Sequence, residues 1–239
     1  MRTNLSVFRA QKLGNEAAEN EDASEPDASV EISVEKCSIA ISDGATESSF
    51  ASQWAQLLVT AFVNAEGPIE ERSLTAIRKA ARIWRRVEDS KALPWYAEEK
   101  RKRGAFATFL GTYFNECGTW ESIAVGDSCF FKVNSDRMVD SFPIDDDQAF
   151  GATPPLVSSR INQPSTLQRA TGNWAEGDLF LWMTDAAAQW FLHEEKAGQQ
   201  PWNIITSFDS TGFLTWLSSA RASRIIRNDD ITILMLKVP

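Results

Sequence analysis

The chain has 239 residues, 43% apolar and 24% charged with 9 Trp and 14 Phe, so it can bury a sizeable core and is not a disordered or low-complexity polymer. Its 24 basic and 33 acidic residues leave a net charge of −9, which argues against nonspecific binding to nucleic acid or anionic lipid as the main activity. The longest uncharged run, Ser48 to Ala65, is interrupted by Ser, Gln, Thr and Asn and reads as an amphipathic helix, so no membrane-spanning segment is expected.

A first strand is expected near Leu5 to Lys12. Met1 to Lys12 has no apolar core between its charges and no small-residue cleavage site, so no secretory signal is read there and a cytoplasmic location is expected. From Lys12 to Lys36 the chain carries acids only, among them Glu16, Glu21, Asp22 and Asp27. Between Ala28 and Ile41, Val30, Ile32 and Val34, then Cys37, Ile39 and Ile41, alternate with polar neighbours, the period of a strand or hairpin with one buried face. From Glu47 onward Phe50, Trp54, Leu57, Leu58, Ala61 and Phe62 recur at helical spacing, and Leu74, Ile77, Ala81, Trp84 and Val87 form a second stripe. Arg72 to Arg103 is strongly basic, which reads as the solvated face of that helix and its following loop, with a docking face for a phosphorylated partner as the other reading.

Short β-type runs follow over Gly104–Phe114, Ser122–Val125, Cys129–Val133 and Met138–Phe142, read as antiparallel neighbours joined by tight turns such as Gly126-Asp127-Ser128. Pro143 to Glu176 is proline-rich and aperiodic, an irregular flap-like excursion with one helical turn at Ser165–Arg169. Asp178–Thr184 reads as a strand, Ala186–Ala197, Pro201–Phe208 and Thr211–Ile226 as helices, and Ile231–Val238 as a closing strand. No repeat or linker tract divides residues 1–239, so a single domain is expected, with two sheets packed face to face and helices outside.

Cys37, Cys117 and Cys129 are too scattered for a disulfide framework or a zinc cluster, and His193 is the one histidine, read as a surface helix residue. Carboxylates are the remaining metal donors. Asp43, Asp127, Asp185, Asp229 and Asp230 each sit where a predicted strand meets a turn, the placement that rigid strands give to functional groups. Ionised carboxylates brought together without a cation would force one another to protonate, and hard divalent ions resolve that conflict. Oxygen donors without His or Cys point to Mg²⁺ or Mn²⁺.

The order of these acids in their local sequences is informative. Asn20-Glu21-Asp22-Ala23, Ile41-Ser42-Asp43-Gly44-Ala45, Gly104-Ala105-Phe106-Ala107-Thr108, Val125-Gly126-Asp127-Ser128, Trp182-Met183-Thr184-Asp185 and Arg227-Asn228-Asp229-Asp230-Ile231-Thr232 span almost the whole chain. The series resembles the metal-dependent serine/threonine protein phosphatases of the type 2C family, in a bacterial-type version. The resemblance implies an α+β fold, a four-layer α/β/β/α sandwich of two antiparallel sheets flanked by helix pairs. It also implies a phosphoric monoester hydrolase acting on phosphoserine or phosphothreonine, in which a water or hydroxide bridging two divalent metals attacks the phosphorus. Carried over by position, Asp43 would bridge both metals and the Gly44 carbonyl would ligate one. Asp185 and Asp229 would complete the first metal's shell, Glu21 and Asp22 would act on the second, and Asp127 would hold a possible third ion. A phosphorylated protein substrate and a cognate serine/threonine kinase would be the partners, with no nucleic acid and no membrane.

Three positions depart from the family pattern. Where many members carry a phosphate-binding Arg, five residues before the second acid of Asn-Glu-Asp, this chain has Ala17, leaving Arg9 or Lys12 as candidate phosphate ligands. Ala186 stands for the glycine after the metal Asp, and Ala45 for a proton-donating His of some members. The alternative function is therefore a catalytically impaired phosphatase-fold module that docks a partner. Among the tryptophans, Trp54 and Trp84 lie on apolar stripes and read as core.

Overall fold

The protein is seen in a computed structural model that describes residues 1–46, 50–89, 104–151, 153–160 and 167–239. In chain order the strands are β1 (Arg2–Ala10), β2 (Ala23–Glu25), β3 (Val30–Ser33), β4 (Cys37–Ser42), β5 (Phe106–Ala107), β6 (Phe109–Phe114), β7 (Thr119–Val125), β8 (Cys129–Asn134), β9 (Arg137–Phe142), β10 (Val157–Ser158), β11 (Gln168–Asn173), β12 (Leu179–Met183) and β13 (Ile231–Lys237). The helices are α1 (Ala51–Val63), α2 (Ile69–Asp89), α3 (Asp185–Lys196), α4 (Pro201–Thr206) and α5 (Ser210–Ala222). One sheet runs β3-β1-β13-β12-β8-β9 and the other β11-β7-β6-β4-β2, every pairing antiparallel, while β5 pairs with β10.

Three apolar layers hold these elements together. Between the sheets pack Leu5, Ile41, Phe114, Phe130, Trp182 and Leu234, all buried. Trp54, Phe62, Ile77 and Trp84 seal α1 and α2 onto the five-stranded sheet. Phe131, Leu181, Phe191, Trp202, Phe213 and Ile233 seal α3, α4 and α5 onto the six-stranded one. Two-sided burial explains why β12, Leu179 to Met183, reads as an unbroken apolar run: every residue in it is covered. The result is the expected α/β/β/α sandwich, with two helices on one flank and three on the other among the described residues.

Several sequence readings are corrected. The alternating segment from Val30 to Ile41 is not a hairpin. A 3₁₀ turn at Val34–Lys36 splits it, sending β3 to pair with β1 and β4 to pair with β2 and β6 in the other sheet. Likewise β7 and β8 are not neighbours, and the turn Gly126-Asp127-Ser128 crosses from one sheet to the other. Gly126 has φ +105, and a Cβ there would lie 2.7 Å from Thr108 and 3.0 Å from the Pro155 carbonyl, so glycine fits this crossing. The expected helical turn at Ser165–Arg169 gives way to β11, which already contains Gln168 and Arg169. β11 is a polar edge strand with small residues at Ala170 and Gly172, and so carries no apolar alternation to read.

Near the start of the Pro143–Glu176 excursion Asp147 ties it to α3, its carboxylate accepting from Lys196 Nζ at 2.9 Å and lying 3.0 Å from His193 Nδ1. His193 is exposed, as expected of a surface helix residue. On α2, Arg78, Lys79, Arg82, Arg85 and Arg86 are exposed, whereas Arg72 is buried over the Tyr113 ring. The start of the first helix at Glu47, the side chain of Val87, the basic loop up to Arg103 and the Ser165 end of the expected helical turn lie outside the described residues.

Candidate metal centre

Strand register delivers every predicted ligand to one end of the sandwich. In the six-stranded sheet Ala10 pairs with Ile231, and Met183 pairs with both Ile233 and Cys129, so the segments holding Lys12, Asp127, Asp185 and Asp229 emerge side by side. In the facing sheet Ala23 pairs with Ser42, placing Asp22 beside Asp43. Gly44 is pressed against the loop before β2: its N–H donates to the Glu21 carbonyl at 3.2 Å, and an added Cβ would meet that carbonyl at 2.8 Å and Ala51 at 2.9 Å. Only glycine permits this approach without displacement.

The acids interact strongly. Burial, followed by repulsion from Asp22, Asp127, Asp229 and Asp230, pushes the Asp43 carboxyl well above the usual range. Burial pushes Asp22 up to about 7, against the opposing pull of the Thr232 and Thr184 hydroxyls, and it also raises Asp127 and Glu21. Asp22 and Asp127 are 5% and 4% exposed, yet Oδ1 of each has no hydrogen-bond partner. Buried carboxylate oxygens left in that condition are uncommon and costly unless a cation takes them.

Cations of the chain itself lie among these acids. Arg227 forms a close ion pair with Asp185 through Nη2 and places Nε 3.6 Å from Asp229. Lys12 Nζ is 3.7 Å from the other Asp229 oxygen. Arg9 binds Ser24 Oγ at 2.7 Å and acts on Asp22 through space. With Arg227 set between Asp185 and Asp229, no three metal-ligating side chains surround one common point among the described residues. The donor set still fits hard divalent ions: oxygen only, with two orphaned buried carboxylate oxygens, mutually repelling carboxyls and a glycine backbone held open beside them.

The predicted acids gather at this end of the sandwich on supports that their local sequences did not announce. Asp230, one of the strand-end acids, is buried and clamps two backbone N–H groups, Lys12 and Glu21, each at 2.8 Å. Thr108 holds Asp43 from both sides, its Oγ1 accepting from the Asp43 N–H at 2.9 Å and its own N–H donating to the Asp43 carbonyl at 2.8 Å. Its hydroxyl also lies 2.7 Å from Ser128 Oγ, tying Asp43 to the residue after Asp127. The doubled acid Asp229-Asp230 and the threonine ending Gly104–Thr108 were the available signals. Arg227 opens the last of the six quoted segments, but no role was expected of it.

Comparison with known proteins agrees with this geometry. A family model described as protein phosphatase 2C matches residues 15–221. No curated protein matches the chain in sequence. Among solved structures, the chain is similar to the Mycobacterium tuberculosis serine/threonine phosphatase PstP/Ppp, at 14% identity over 99% of this chain and 98% of that one, with a TM-score of 0.67. A structure of the PstP catalytic domain in complex with two manganese ions aligns at 15% identity over 98% of both chains, TM-score 0.64. The Mycobacterium smegmatis phosphatase MsPP aligns at 13% identity over 98% of both, TM-score 0.61. Because the matching model runs from the loop before Glu21 into α5, the chain belongs to the protein phosphatase 2C family, metal-dependent serine/threonine phosphatases that are phosphoric monoester hydrolases.

Proposed function

We propose that this chain is a single-domain phosphatase that hydrolyses phosphoserine or phosphothreonine on proteins, with two Mg²⁺ or Mn²⁺ ions at the acidic end of the sandwich. The observation that carries this reading is the convergence of Asp22, Asp43, Asp127, Asp185 and Asp229, with orphaned oxygens on Asp22 and Asp127. Asp43, with the Gly44 carbonyl, would help hold the ions. Asp185 and Asp229 would hold one ion, Glu21 and Asp22 would face the other, and Asp127 would offer its free oxygen to a third. When bound, the ions supply acidification of the attacking water and neutralise charge on the phosphoryl oxygens.

The protein's own part is positional. Thr108 fixes the backbone of Asp43, and Thr184 Oγ1 donates to Asp22 Oδ2 at 3.1 Å while Asp22 Oδ1 stays unpaired. Asp230 fixes the loop that carries Glu21. With Ala45 beside Gly44, no side chain at that position can protonate the leaving alkoxide, which leaves this proton to solvent. Opposition to a cognate kinase, and a location in the cytoplasm, belong to this reading. Among the described residues no helix is long and apolar enough to cross a membrane.

Hydrolysis of p-nitrophenyl phosphate with and without Mn²⁺, using Asp43→Asn as control, tests it. Metal-dependent turnover that disappears in the variant is the expected result. A folded protein that binds Mn²⁺ but turns nothing over would instead favour the docking module, the reading that Ala17 supports.

A further inference from the structure

Resting on the phosphatase reading, we propose that Arg227 is the side chain that binds the substrate's phosphoryl group, filling the role left open at Ala17. Ala17 lies in a short 3₁₀ turn, Ala17–Glu19, where Glu16 and Glu19 bond each other's backbone, so the family's usual approach to the phosphate carries no positive charge here. A dianionic ester entering a site lined by carboxylates needs a cation, and the described basic residues near the acids are Arg9, Lys12, Arg221 and Arg227.

Their surroundings separate them. Arg9 is directed at Ser24 and the buried Asp22. Arg221 serves the backbone, donating to the carbonyls of Gln11, at 3.0 Å, and Asp229. Lys12 has its own N–H on Asp230 and its ammonium near Asp229 and Glu21, a single point of charge at 24% exposure. Arg227 is 39% exposed and presents a guanidinium fork from the loop before β13, already reaching across Asp185 and Asp229 while also acting on Asp127.

The same arrangement gives Arg227 a reason to turn toward substrate. Divalent ions held by Asp185 and Asp229 would repel the guanidinium from those carboxylates and take over the oxygens it now contacts. A phosphate bound beside the ions is then the nearest anion, and its geometry matches the fork in two parallel hydrogen bonds. The loop that carries the residue is fixed: the Asp229 N–H donates to the Arg227 carbonyl at 3.1 Å, and Asn228 Oδ1 accepts from the Leu13 N–H at 2.7 Å. Only the side chain has to swing.

The test is calorimetric titration of inorganic phosphate into Mg²⁺-saturated wild type, Arg227→Gln, Arg227→Lys and Lys12→Gln, with Mg²⁺ titrated separately into each protein. Loss of a bidentate charged contact is expected to weaken phosphate binding by about 10- to 100-fold in Arg227→Gln. Arg227→Lys should recover part of it and Lys12→Gln should change it little. Metal affinity in Arg227→Gln should hold or tighten, because a competing cation has been removed. Unchanged phosphate affinity in Arg227→Gln, the loss falling on Lys12→Gln instead, or no phosphate binding by the wild type would each overturn the proposal. So would a joint loss of metal and phosphate in Arg227→Gln, which would make the residue a structural support. The separate metal titration reports on the phosphatase reading itself, so the two can fail independently.

Discussion

Strand β12 has a fully buried aspartate before it and a part-buried one just after it, and the two stand in different surroundings. Asp178, fully buried before Leu179, is satisfied: Lys132 Nζ lies 3.0 Å away, the Ala175 N–H donates at 2.8 Å, and Asn134 Nδ2 donates to its other oxygen. At the far end Asp185 joins Asp22, Asp43, Asp127 and Asp229, where acids outnumber cations and two buried oxygens find no donor. The same strand therefore carries a closed charge pair at one end and an open cluster at the other. A carboxylate with both oxygens answered secures the fold, and one with an oxygen left unanswered is available for chemistry.

Substitutions should divide along that line. Replacing Asp43 by Asn is expected to lower metal-dependent turnover by three orders of magnitude or more, on the order of what losing a metal-bridging ligand removes. In metal-free buffer it should raise the melting temperature, because a repelled carboxyl has gone. Asp178→Ala should do the reverse, costing about 3 kcal/mol of stability in denaturant titration by stranding Lys132, while Mn²⁺ affinity stays at the wild-type value. A stability loss in Asp43→Asn equal to that of Asp178→Ala would erase the distinction.

Proton linkage gives a finer test. Because the carboxyls of Asp22 and Asp43 are raised in the folded protein, the native state holds more protons than the unfolded chain between the ordinary carboxylate range and about pH 7. Without divalent ions, stability should fall as pH rises through that window. With saturating Mn²⁺ the trend should invert, since metal binding needs the deprotonated forms. Melting curves at pH 5 and 7.5, with chelator and with Mn²⁺, read both slopes. The smallest effect is expected at Thr108→Val, which keeps the packing but removes the hydroxyl between the Asp43 N–H and Ser128. Mn²⁺ affinity should drop roughly 10-fold, as is usual when a ligand loses its orienting partner.

What the sequence disclosed follows from which interactions are local. Asp43, Asp127, Asp185 and Asp229 stood out because each flanks an apolar run, and strand periodicity survives in one sequence. The partition of β3 and β4 between sheets did not show, since both halves of Val30–Ile41 alternate alike whichever sheet receives them. β11 was hidden by its polar, small-residue edge, and α1, α2 and β12 were plain because their apolar patterns face a core. The roles of Asp230, Thr108 and Arg227 depend on partners dozens to hundreds of positions away, such as Lys12, Asp43 and Asp185, and no local pattern encodes them.

The central claim is that the open cluster is built for divalent ions, and calorimetric titration of Mn²⁺ into the wild type and Asp43→Asn at pH 7.5 tests it most directly. The account predicts at least two ions per wild-type chain and loss of that binding in the variant. A wild-type protein that binds no Mn²⁺ at millimolar concentration, or an Asp43→Asn variant that binds as many ions as tightly, would contradict it.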